Sequence, residues 1–138
     1  KYWTRARPRD KFLNALVSDK KEKISFFKHK ATFVSSISED HIKKFNKDDF
    51  KEEVHETVRL SDILTENDLE KFDILFIDIE GMDFKVISSI DLSIVKPTYI
   101  CIEDHDFLDE KSDIKDYLTE NKYFNIARFG PSFIYKKS

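Results

Sequence analysis

Apolar positions along the chain fall into short runs separated by charged stretches, and the period of each run predicts its element. "KFLNALVS" (11–18) and "EKISFFKH" (22–29) flank a Lys-rich turn and carry the β-branched and aromatic residues that suit strands. "SEDHIKKFNKDDF" (38–50) is polar and weakly periodic, and reads as a helix or loop. "EEVHETVRL" (52–60) reads as a strand, and "SDILTENDLEKF" (61–72) as a helix with Ser61 at its N-cap and Ile63, Leu64 and Leu69 on one face. "FDILFIDIEG" (72–81) is continuously hydrophobic before its acids, which predicts a strand buried on both faces. "MDFKVISSI" (82–90) spaces Phe84, Ile87 and Met82 or Ile90 helically. "PTYICIED" (97–104) predicts a second buried strand, "KSDIKDYLTEN" (111–121) a helix, and "FNIARFGPSFIYKK" (124–137) two strands broken at Gly130-Pro131.

Strand, helix, strand, helix and a terminal hairpin are the pattern of an open α/β sheet, whose ligands sit outside the carboxyl ends of its parallel strands. Three polar clusters follow apolar strands: Ser18-Asp19, Asp78 with Glu80, and Glu103 to His105. All three are therefore expected on one edge. Alternate residues of a strand share a face, so Asp78 and Glu80 point the same way while the backbone stays extended, and Gly81 then permits a sharp turn. The same acids are equally compatible with strand-end solvation and with capping of the next helix.

Composition narrows the function. The chain has 138 residues, 40% hydrophobic and 37% charged, the profile of one water-soluble domain. Its longest uninterrupted apolar run, "ILFI", is far short of a bilayer span, so no membrane association is expected and the cytoplasm is the expected compartment. The single cysteine, Cys101, can form no internal disulfide and reads as a buried, inert thiol. Residues 1–30 hold ten Lys and Arg against three Asp and Glu, a basic segment ahead of an acidic body. The segment is too short to argue for nucleic acid as a partner. His105, at a strand end, has a pKa suited to a general base, whereas His29, His41 and His55 lie in polar or peripheral segments. No tight metal-ligand motif is present.

The block "VHETVRLSDILTENDLEKFDILFIDIEGMDFKVISSIDLSIVKPTYICIED", together with "FLNALVSDKKEKISFF" upstream, resembles the C-terminal region of FkbM-type methyltransferases. The shared order is a strand ending in serine-aspartate, a charged turn, an aromatic-rich strand, an aspartate-x-glutamate-glycine turn, a helix, and a strand ending in an acid. The resemblance implies a Rossmann-like class I sheet, incomplete at its N-terminal side and closed by a C-terminal β-hairpin. It also implies S-adenosylmethionine as cofactor and an oxygen of a sugar, polyketide or other small molecule as acceptor.

By the same resemblance, Ser18 and Asp19 hold the adenine, and Asp78 lies beside the methyl donor. Asp78, Glu80 and His105 are the catalytic candidates, and Glu80 and Glu103 the acceptor-binding ones. No metal is assigned.

One departure stands out. No glycine precedes Gly81, so the family's glycine-rich turn is missing, as is the acid that binds the ribose. Residues 1–138 therefore read as the C-terminal portion of a larger methyltransferase domain, weak in cofactor binding alone and with possible self-association through open strand edges. The alternative is a non-catalytic α/β interaction module that has lost the cofactor loop.

Overall fold

A computed structural model describes residues 5–30, 35–36, 46–79, 81–104 and 112–138. The helix or loop expected over 38–50 lies mostly outside the described residues.

The N-terminal half forms one sheet in the order β1-β4-β2-β3, from β1 (Leu16–Ser18), β2 (Lys23–His29), β3 (Ser35–Ser36) and β4 (Phe50–Arg59). β1 runs parallel to β4, and β2 runs antiparallel to it along its whole length, with Lys23 opposite Glu56 and His29 opposite Phe50. Thr57 is the polar anchor of this sheet. Its buried hydroxyl donates to Lys20 O at 2.6 Å and accepts from Glu22 N at 2.9 Å, which pins the charged β1–β2 turn to β4.

Helix α1 (Leu60–Glu66) continues directly from β4. Its N-cap is Arg59 rather than the expected Ser61, and the Arg59 guanidinium pairs with Asp62 in the first turn at 2.8 Å. Leu64 is buried as expected, but Leu69 lies beyond the helix and is exposed.

The C-terminal half forms a second sheet, β5-β6-β8-β7, from β5 (Ile74–Ile77), β6 (Tyr99–Glu103), β7 (Tyr123–Phe129) and β8 (Ser132–Lys137). β5 and β6 are parallel and joined through α2 (Asp83–Ser88), whereas β8 is antiparallel to both of its neighbours. Helix α3 (Asp113–Glu120) connects β6 to β7. The chain is thus a mixed α/β structure of two sheets, and among the described residues β1 and β5 share no ladder.

The main core lies on one side of this second sheet. Leu75 and Ile77 of β5, Ile100 and Ile102 of β6, and Phe133 and Tyr135 of β8 pack with Ile87, Ile90, Ile114 and Leu118. Burying these large side chains supplies the bulk of the hydrophobic stabilisation. The opposite side is different. Ile74 and Phe76 are 61% and 65% exposed, so β5 is buried on one face only, contrary to the expectation from its unbroken hydrophobicity. Phe124 of β7 is exposed as well. Among the described residues β5 is also a sheet edge, so apolar residues face away from the core along a ladder with no described partner.

Candidate functional site

The parallel pair β5 and β6 carries its polar residues to a common end. The last ladder pair is Ile77 with Ile102, and Asp78 and Glu103 are the next residues on each strand. Asp78 is exposed and Glu103 half-buried. Asp78 also lies close to Cys101: the half-buried thiol is pushed up first by burial and then by the Asp78 charge. Cys101 is thus a protonated thiol near neutral pH, although half-buried and not buried as expected, because it lies on the face of β6 away from the main core.

Beyond Ile77 the backbone leaves the strand, and Gly81 takes φ 89°, the left-handed conformation that the turn needs. Asp83 fixes this turn. It is 5% exposed, and its two carboxylate oxygens accept from Ile79 N at 3.3 Å and Gly81 N at 3.2 Å. Buried carboxylates need such donors, and the start of α2 supplies a favourable field. Sequence reading missed Asp83; the signal was an acid two residues after a turn glycine.

The end of β6 is organised in the same way. Asp104, also 5% exposed, accepts from Ser112 Oγ at 2.5 Å, and its own N–H donates to Pro131 O at 3.0 Å. Ser112 in turn caps α3 by accepting from Lys115 N at 3.0 Å. The two buried acids thus hold the turns, and Asp78 and Glu103 are the more accessible carboxylates at the two strand ends. Between the turns lies a cavity of about 140 Å³ lined by Gly81, Asp83, Phe84, Glu103, Asp104, Asp113 and Ile114. Among the described residues no basic side chain lines it, and its described lining carries four carboxylates that can accept from hydroxyl donors.

Asp78 and Glu103 are brought together. Ser18 and Asp19 end β1 in the other sheet, where the buried Ser18 Oγ donates to Asp19 Oδ1 at 2.9 Å. Neither lines the acidic cavity, although α2 packs against β1. Glu80 and His105 lie outside the described residues. Among the described residues no group of three or more His, Cys, Asp or Glu is placed to hold a metal ion. A second cavity of about 260 Å³ is lined by Asn14, Ala15, Leu16, Phe26, His55 and Glu56, none of them a sequence-derived candidate. His55 stacks edge-on against Phe26 and bonds Glu53 at 3.1 Å.

A Cβ added at Gly81 or Gly130 meets nothing within 4 Å, so both glycines are required by their positive-φ turns and not by close packing against protein atoms. The described residues place two carboxylates, Asp78 and Glu103, at the adjoining ends of β5 and β6. Among the described residues, no helix is long and apolar enough to cross a membrane.

A family model described as "Methyltransferase FkbM domain" matches residues 3–124. No curated protein and no solved structure matches.

Proposed function

The chain belongs to the FkbM methyltransferase family, and on that premise we propose that it moves a methyl group from S-adenosylmethionine to a hydroxyl oxygen of a small-molecule acceptor. The observation that carries the proposal is the placement of Asp78 and Glu103 at the adjoining carboxyl ends of β5 and β6. The sulfonium donor supplies an electrophilic methyl group. Transfer to a hydroxyl then releases one proton, and the chief demand on the protein is in-line placement of the oxygen.

Asp78 accepts the hydrogen bond of the reacting hydroxyl and takes its proton, for which an exposed carboxylate at the strand end is suited. Glu103 and Glu80 orient the acceptor, and His105 is the next candidate base. Asp83 and Asp104 act indirectly, by holding the two turns from which Asp78 and Glu103 project. Asp19, with Oδ1 engaged by Ser18, offers Oδ2 to the amino group of an adenine. On this reading, the glycine-rich turn and the ribose acid used by the family come from outside residues 1–138, and the protein works in the cytoplasm, with Cys101 reduced.

A second reading, an α/β interaction module without cofactor chemistry, is favoured by the lack of any glycine before Gly81 in residues 1–138. Calorimetric titration with S-adenosylhomocysteine and transfer of labelled methyl to hydroxyl acceptors, both on the full-length protein, separate the two. Micromolar binding with label in the acceptor supports the methyltransferase. Absence of both leaves the module.

A further inference from the structure

The cavity of about 260 Å³ on the β1-β4-β2 sheet is used by no step of the proposed methyl transfer. Its described walls are of two kinds. Ala15, Leu16 and Phe26 are apolar, whereas Asn14, His55 and Glu56 bring hydrogen-bonding groups. Phe26 of β2 meets His55 of β4 edge-on, with ring centroids 5.5 Å apart, so each ring holds the other in place. Among the described residues the Asn14 carboxamide has no partner, and it offers donors and an acceptor side by side.

Register places a second feature beside the cavity. On β2 and β4, Ile24 pairs with His55, Phe26 with Glu53 and Lys28 with Lys51, and the three pairs share one face because they fall on alternate residues. Like charges directly opposed weaken an antiparallel pair. Lys51 bonds Glu53 Oε1 at 2.8 Å, but Lys28 has no ion pair among the described residues. The Lys28–Lys51 row follows the Phe26 row by two residues, about 6.6 Å along the strand, a step that the ribose of a mononucleotide can span.

From the cavity and the adjoining lysine pair we propose that this sheet binds an adenine nucleotide: the base enters against Leu16 and Phe26, Asn14 reads its edge, and the phosphate sits at Lys28 and Lys51. An apolar ring alone would strip water from Asn14 and His55 without replacing its bonds. A free phosphate would leave the apolar wall unused. A purine gives that wall a flat face, and adenine presents the adjacent donor and acceptor that a carboxamide matches in two parallel bonds. The phosphate offsets the repulsion between the two ammonium groups, while Glu53 already has one oxygen bonded to Lys51 and the other to His55. The site lies in the other sheet from Asp78 and Glu103, and at the start of β1, whereas Ser18 and Asp19 stand at its end. It therefore adds a second ligand to the methyltransferase reading without depending on it.

An NMR titration of the full-length protein with adenosine monophosphate, adenosine and ribose phosphate, repeated in the presence of saturating S-adenosylhomocysteine, tests the site. Adenosine monophosphate should shift the amides of Leu16, Phe26, Lys28 and His55, bind about tenfold more tightly than adenosine, and keep its shifts when S-adenosylhomocysteine is present. Ribose phosphate should bind more weakly than either, because it lacks the base. Asn14→Ala should weaken adenosine and its monophosphate alike, about tenfold. Lys28→Glu should abolish the advantage of the phosphate while melting stays level or rises, since an acid there faces Lys51. Equal affinity for adenosine and its monophosphate, a Lys28→Glu variant that titrates like the parent, or shifts confined to other residues would each overturn the proposal. Displacement of adenosine monophosphate by S-adenosylhomocysteine would overturn it too, by assigning the ligand to the cofactor site. Loss of methyl transfer would leave the result intact, and failure here would leave methyl transfer standing.

Discussion

Ser112 Oγ donates to Asp104 Oδ2 at 2.5 Å, and both residues are almost fully buried, at 2% and 5% exposure. One hydroxyl thus partners a buried carboxylate and caps α3, holding the helix start against the end of β6.

Removing that hydroxyl should cost more than an ordinary cap. Ser112→Ala removes one partner of a buried acid and uncaps the helix, a loss of about 2 kcal/mol. Ser112→Thr keeps both bonds and should stay within about 1 kcal/mol of the parent. Chemical denaturation of the two variants decides it. An alanine variant as stable as the parent would mean that the pair contributes nothing.

The two buried core tyrosines should respond oppositely to loss of their hydroxyls. Tyr123 Oη donates to Pro97 O at 2.8 Å, whereas Tyr135 Oη has no hydrogen-bond partner among the described residues. Tyr123→Phe should destabilise by about 1 kcal/mol, and Tyr135→Phe should be neutral or stabilising. Equal losses in denaturant midpoints would contradict this.

Alkaline pH should unfold the domain through the same residues. Burial pushes Tyr123 from its ordinary 10.0 up to about 12, and Tyr135 is raised by burial and by the Asp104 charge. The folded state therefore keeps these phenols protonated where the unfolded chain releases its protons. That stability is fully present below pH 10 and is lost as pH climbs toward 12. Melting temperatures should fall across that window, less steeply for Tyr135→Phe. A flat profile would contradict the burial argument.

Much of this was legible in the sequence because it depends on local chemistry. The hairpin at Gly130-Pro131 and the turn at Gly81 follow from the two glycines, and β6 and α3 from their apolar period. The exposed face of β5 was not legible. Ile74 and Phe76 look the same in sequence as Leu75 and Ile77, and only α2 and α3, covering one side, distinguish them. The N-cap of α1 moved to Arg59 because β4 runs straight into the helix, leaving Ser61 inside the first turn. Of the candidate site, the placement of Asp78 and Glu103 at strand ends was legible, whereas the structural roles of Asp83, Asp104 and Ser112 depend on burial, which spacing alone does not reveal.

The central claim is that the Asp78 carboxylate takes part in methyl transfer rather than merely ending a strand. Asp78→Asn in the full-length protein keeps shape and most hydrogen bonding while removing the charge, and the quantity to measure is the rate of methyl transfer to a hydroxyl acceptor. A lost general base typically costs about two to four orders of magnitude, so the rate should fall at least about a hundredfold with melting and S-adenosylhomocysteine affinity unchanged. A rate within a few-fold of the parent would contradict the claim and reduce Asp78 to a solvated strand end.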